Sequence, residues 1–182
     1  MFGEAFLVAP VYTPVNRRTV YLPEGTWFDY WTGEQHQGPT TLHIQPPLDL
    51  LPLYIRSNSI IPMGPDMAYV DEKASDPITL DTWLVSEAEC TIYDDDESVT
   101  CRAKRDQNEI TLEISASNKS FIAKLNNTDR PSEVAHNGET LSEFSSEDEF
   151  EKSERGWYFE QPGTAYVKFA GDQQTGTISV IS

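Results

Sequence analysis

Apolar residues recur at every second position along this chain, in short runs. No stretch of a dozen residues carries the i, i+3, i+4, i+7 repeat of an amphipathic helix. The pattern therefore predicts strands, in which alternate side chains face one side. Residues 5–11, 19–22, 27–31, 41–44, 53–55 and 59–61 read this way. Pro23-Glu24-Gly25, Thr32-Gly33, Pro46-Pro47 and Gly64-Pro65 read as the turns that close them. A polar stretch over 66–77, ending in Ser75-Asp76-Pro77, reads as a linker. Further strands are expected at 78–84, 90–93, 98–102, 109–114, 121–125, 133–136, 156–160, 165–169 and 177–181. The acidic run over 142–155 reads as a solvated loop or one short helix. Strands this short at this spacing belong to sandwiches or barrels. The expected fold is all-β: two consecutive antiparallel β-sandwich domains, residues 1–70 and 71–182, with little or no helix.

One hairpin can be placed in register. With Asp95-Asp96 at its tip, Ile92 faces Val99 and Cys90 faces Cys101 on one side, and Thr91 faces Thr100 on the other. The two cysteines are then neighbours on an apolar face. They read as a pair of packed, reduced thiols in preference to a disulfide or redox pair.

Charge sharpens the division into two. The 182 residues carry a formal net charge of −17, and 24 of the 30 acidic side chains follow residue 70. This excess argues against nucleic acid, whose phosphates need clustered Lys and Arg, and against an anionic membrane surface. No apolar run approaches the ~20 residues of a spanning helix. With two cysteines there is no secreted disulfide framework, and no signal peptide is visible, so a cytoplasmic setting is expected.

The search for chemistry assigns no residue. His36, His43 and His136 are not spaced as metal ligands, and no Cys-x-x-Cys occurs. The run Asp94-Asp95-Asp96-Glu97 lacks the wider alternation of a calcium loop and reads as an acidic tip. There is no Gly-x-Ser-x-Gly elbow and no Gly-rich phosphate loop. Acidic residues lie mainly in polar loops, where nothing raises a carboxyl pKa toward that of a general acid. No catalytic residue, cofactor or metal is expected. The cluster Trp27-Phe28-Asp29-Tyr30-Trp31 is the most suggestive local feature. Strict alternation puts Trp27, Asp29 and Trp31 on one face, where two indoles fill a core, dock on a neighbour, or stack on sugar rings. Packing or docking is the favoured reading. Asn118-Lys119-Ser120 and Asn126-Asn127-Thr128 match the glycosylation sequon.

The wording of the sequence adds a resemblance. MFGEAFLVAPV resembles the segment that ends the catalytic barrel region of glycoside hydrolase family 31, which contains α-glucosidases and α-xylosidases. RRTVYLPEGTWFDYWTGE followed by PPLDLLPLYIRSNSIIPMGP is similar to that family's proximal C-terminal domain in order and spacing, over residues 1 to about 65. Ile92-Tyr93-Asp94-Asp95-Asp96 and Val134-Ala135-His136-Asn137-Gly138 resemble its distal sandwich, although Glu97 stands where the family often has glycine. The resemblance implies a retaining glycosidase whose two catalytic aspartates lie upstream, in the barrel. Neither motif matches a position here, and a retaining pair needs carboxyls ~5 Å apart on a rigid scaffold. The expected function is a non-catalytic C-terminal accessory region that supports the barrel. Met1 would then be an interior residue of a longer parent, and residues 1–11 an edge strand on the proximal sandwich. Two alternatives stand beside this: a carbohydrate-binding module using Trp27, Trp31, Trp83 or Trp157, and an unrelated interaction sandwich assisted by calcium at Asp94 to Glu97. The expected partners are the catalytic barrel of the same polypeptide and, on the first alternative, an oligosaccharide.

Overall fold

The strand expected to stop at Pro23-Glu24-Gly25 does not stop there: a single strand runs over Arg18–Asp29. Its ladder with the next strand is regular from Arg18↔Ile44 to Leu22↔Thr40, shifts by a bulge, and resumes at Gly25↔Gly38. A bulge tolerates proline because the extra residue owes no ladder hydrogen bond. It also changes which residues share a face. Val20, Leu22 and Trp27 all point to the same side, which strict alternation forbids.

The computed structural model describes residues 1–12, 17–65, 67–69, 72, 77–93, 98–172 and 174–182. The strands are β1 (Phe6–Val8), β2 (Arg18–Asp29), β3 (Gln35–Ile44), β4 (Leu53–Arg56), β5 (Ser59–Met63), β6 (Ile78–Trp83), β7 (Glu87–Tyr93), β8 (Ser98–Asp106), β9 (Glu109–Ile114), β10 (Ser120–Asn126), β11 (Glu133–His136), β12 (Glu139–Thr140), β13 (Glu143–Phe144), β14 (Gly156–Glu160), β15 (Thr164–Ala170) and β16 (Gly176–Ile181). Helix α1 (Glu147–Lys152) stands between β13 and β14. Most of the linker expected at 66–77 and the tip Asp94 to Glu97 lie outside the described residues.

The chain divides into two compact units, Met1–Ser59 and Ile60–Ser182. The division falls ahead of the shift in charge near residue 70. The first unit carries a four-stranded sheet in the order β1-β4-β2-β3. β1 is its edge strand, as expected for residues 1–11, and pairs antiparallel with β4 through Phe6↔Ile55 and Val8↔Leu53. Its core is Ala9, Val20, Leu22, Trp27 and Tyr54, with Leu7, Leu42 and Ile44 packed against it. Burial is the main reason the Tyr54 hydroxyl is pushed up to about 12, helped by the negative charges of Asp29 and Glu34.

The second unit holds two six-stranded sheets, β13-β14-β15-β10-β6-β5 and β12-β11-β16-β9-β8-β7. Alternate residues from both sheets enter one apolar core: Val99, Cys101 and Ala103 of β8, Phe121, Ala123 and Leu125 of β10, and Ala165, Val167 and Phe169 of β15 among them. Each fully buried large side chain contributes on the order of 2 kcal/mol. β10 pairs in parallel with β6 and β14 with β13, whereas β15 runs antiparallel to both β10 and β14 and the described ladders of the other sheet are antiparallel. The register proposed for the hairpin is the one observed: Cys90↔Cys101, Thr91↔Thr100 and Ile92↔Val99.

β6 also carries a buried polar group. Asp81 is fully inaccessible and takes a hydrogen bond from Asn126 Nδ2 at 2.6 Å, with Lys124 Nζ at 3.4 Å. Asn126, the acceptor of one sequon, is thus buried and engaged. Of the two readings of the acidic run, the helix holds for six residues. Ser146 Oγ accepts from Glu149 N at its start, and Phe150 anchors it. Lys168 of β15 places its Nζ 2.9 Å from the carbonyls of both Phe150 and Glu151, capping the far end.

Candidate docking surface

β2 ends because Asp29 turns the chain. Its carboxylate accepts from the backbone N–H of Trp31 at 2.9 Å and of Thr32 at 3.0 Å, an Asx turn. Gly33 follows at φ 72° and donates its N–H to Asp29 O at 2.8 Å. Trp31 therefore leaves the strand face that Trp27 occupies, and the expectation that both indoles share a face is corrected. Trp27 is 2% exposed, whereas Trp31 is 51% exposed. Each indole N–H has a backbone partner: Trp27 donates to Pro23 O at 2.9 Å and Trp31 to Leu51 O at 2.7 Å.

Trp31 is one end of a run of four rings. It meets Tyr30 edge-on, with centroids 5.1 Å apart and planes at 83°. Tyr30 lies 6.0 Å from Phe6, and Phe6 lies 6.4 Å from Phe2 at 60°. Edge-to-face contacts of this kind suit the ring quadrupoles. A short turn at the start of the chain supplies the far end. Phe2 and Phe6 exchange backbone hydrogen bonds of 2.8 and 3.3 Å across it, and Gly3 takes φ 58°. Phe2 is 72% exposed, and Leu51 beside Trp31 is exposed as well. Phe6 and Tyr30 between the two ends are half-buried, so the row is exposed at Phe2 and Trp31 and partly covered in the middle. Clustered apolar surface of this kind is a candidate interaction surface, where isolated apolar residues are not. The carboxylate within it, that of Asp29, is committed to two backbone N–H groups.

The other candidates are dispersed. Trp83 and Trp157 are buried, so neither offers a platform for a sugar ring, and the same holds for Trp27. His36 meets the Tyr54 ring edge-on at 5.9 Å, and His43 Nδ1 lies 3.2 Å from Thr19 Oγ1. His136 of the second unit packs on Phe169 at 5.2 Å. Burial lowers its pKa, and the positive charge of Arg155 lowers it further. Among the described residues no three His, Cys, Asp or Glu side chains gather as a metal site, and Asp94 to Glu97 lie outside them. No helix among them is long and apolar enough to cross a membrane. The rings of Phe2, Phe6 and Tyr30 escape a reading of the sequence because only the strand order β1-β4-β2 brings them together.

Comparison with known proteins follows the same division. The glycosyl hydrolase family 31 C-terminal domain matches residues 1–61. The isomaltosyltransferase of Sporosarcina globispora is 29% identical over 172 residues, which is 88% of this chain and 16% of that protein. Alpha-glucosidase 2 of Bacillus thermoamyloliquefaciens is 31% identical over 137 residues, 72% of this chain and 17% of the relative. Among solved structures, the cycloalternan-forming enzyme of Listeria monocytogenes superposes on all of this chain with a TM-score of 0.92 at 26% identity. The Flavobacterium johnsoniae family 31 dextranase covers 99% of it with a TM-score of 0.88 at 25% identity. The chain spans 18% and 26% of those two structures, less than two thirds of any of these relatives. With its all-β units, its matched first unit and these relatives, the chain belongs to glycoside hydrolase family 31 as a C-terminal region.

Proposed function

We propose that this chain is the non-catalytic C-terminal accessory region of a larger α-glycosidase, and that its first unit braces the catalytic barrel of the same polypeptide. The observation that carries this reading is the aromatic row Phe2–Phe6–Tyr30–Trp31, exposed at both ends and half-buried in the middle, an apolar surface in a strongly acidic chain. The small share of each relative that the chain spans supports a missing neighbour. The parent would hydrolyse α-glucosides or α-xylosides with retention, in keeping with the names of the α-glucosidase and α-xylosidase relatives. Its two catalytic aspartates would come from the barrel. On this reading residues 1–70 are the proximal domain, with 1–11 closing the barrel region, and 71–182 the distal one. The free thiols of Cys90 and Cys101 fit a reducing, cytoplasmic setting.

The test separates bracing from glycan binding. The chain is titrated with malto- and xylogluco-oligosaccharides and followed by calorimetry and tryptophan fluorescence. No saturable heat is expected up to the millimolar range. Saturable binding that Trp31→Ala abolishes while the fold survives would replace bracing with carbohydrate recognition.

A further inference from the structure

Cys90 and Cys101 face each other across the β7–β8 ladder, on the side that packs into the core of the second unit. Arg105 N donates to Ser86 O at 2.7 Å, which fixes that pair as a hydrogen-bonded position. Steps of two along an antiparallel ladder keep that type, so Cys90 and Cys101 occupy one too, with Cα atoms about 5.5 Å apart. A disulfide needs a Cα separation of roughly 4.4–6.8 Å. The Cα separation lies within that range, and closing the bond requires the two Cβ atoms of this wider, hydrogen-bonded pair to draw together.

The two thiols differ in environment. Cys101 is fully buried, whereas Cys90 is half-buried, so reagents in solution meet Cys90 first. The neighbouring Cys101 thiol favours the Cys90 thiolate, and the pairing together with burial makes Cys101 the harder to ionise. Attacking and resolving roles are thereby divided between them.

From the paired register and the unequal exposure we infer that Cys90 and Cys101 form a reversible thiol–disulfide site, oxidised by low-molecular-weight disulfides such as glutathione disulfide. The Cys90 thiolate attacks one sulfur of glutathione disulfide. The reagent's S–S bond breaks, a mixed disulfide forms on Cys90, and the first glutathione leaves as a thiolate that takes up a proton. Cys101 then gives its proton to water and attacks the Cys90 sulfur, expelling the second glutathione. Two electrons pass from the cysteine pair to the reagent, and two glutathione thiols are released. The product links neighbouring strands and closes the loop between residues 90 and 101.

The test exposes the purified protein to excess glutathione disulfide, traps remaining thiols by alkylation, and reads the intact mass and the linked peptide. The expected product has lost two hydrogens, carries no alkyl group on either cysteine, melts several degrees higher than the reduced protein, and returns to it with dithiothreitol. Cys101→Val, which keeps the site apolar and close in volume, is expected to hold glutathione on Cys90 as a lasting adduct. Cys90→Ser is expected to leave Cys101 unmodified, reacting about tenfold or more slowly than Cys90 does. Should Cys101→Val fail to fold, the Cys90→Ser result and the wild-type mass still decide the matter. Two alkylated thiols after exposure, a lasting mixed disulfide in the unaltered protein, or a bond between two copies would each overturn the proposal.

Discussion

The Cβ that Gly38 lacks would stand 1.8 Å from the carbonyl oxygen of Pro23. The bulge in β2 thus closes against a position of β3 where no side chain fits, and the same carbonyl receives the indole N–H of Trp27. Gly38→Ala is expected to lower the stability of the first unit by about 3 kcal/mol or more, because the obstacle is backbone and cannot rotate aside. Denaturant unfolding followed by tryptophan fluorescence measures it. A loss within experimental error would mean that the bulge is not needed to seat Trp27.

Trp27 and Trp31 are four residues apart and have opposite roles. Trp27→Ala removes a buried indole and is expected to cost roughly 3–5 kcal/mol. Trp31→Ala removes an exposed one and is expected to cost the chain under about 1 kcal/mol. In the longer polypeptide, Trp31→Ala is expected to lower the melting temperature as well, since the barrel would then cover that ring. Equal effects of Trp31→Ala in the short and long forms would remove the evidence for docking there.

Asp81 and Lys124 form a pair best read by a double-mutant cycle. Asp81→Ala strands a lysine and an asparagine beside an emptied buried site, and about 3 kcal/mol of destabilisation is expected. Adding Lys124→Met to Asp81→Ala is expected to recover part of that loss, because the stranded ammonium is gone while Asn126 Nδ2 keeps the carbonyl of Thr82 at 3.2 Å. Strictly additive losses would mean the two groups do not interact.

His136 gives a pH dependence whose sign follows from burial. Its folded pKa lies below the usual 6.5, so between the two values the unfolded chain holds more protons. Stability is therefore full above the unfolded pKa and falls as pH drops toward the folded one. Arg155 deepens the effect and Asp172 and Glu139 oppose it. His136→Gln is expected to show a shallower loss between about pH 7 and pH 5 in parallel thermal melts. Identical slopes for the two proteins would assign the dependence to carboxylates instead.

Much of the second unit was legible in the sequence because its strands alternate cleanly and are separated by distinct turns. The Cys90–Cys101 register could be drawn residue by residue, since shifting it by one would turn Ile92 and Val99 out of the core. Strands β12 and β13 were not legible, as two residues carry no period. Helix α1 was legible only as one of two readings of the acidic run over 142–155; the cap of Ser146 on Glu149 N is a finding of the structure. The first unit misled at two places. Pro23-Glu24-Gly25 has the composition of a turn, and only the close approach of Gly38 shows that it is a bulge. Trp31 looked like a strand residue, but the Asp29 side chain captures two N–H groups and ends the strand first. The docking row depends on strand order, which local pattern does not report.

The parallel pairing of β6 with β10 has a consequence for the nascent chain. β6 leaves the ribosome before its neighbour exists, and β7, β8 and β9 of the other sheet are made in between. Lys124 follows Asp81 by 43 positions, so at translation speeds of about 5–20 residues per second the carboxylate waits roughly 2–9 s for its cation. During that interval β6 has apolar Leu80 and an uncompensated charge on opposite sides, and of the rest of its sheet only β5 has been synthesised.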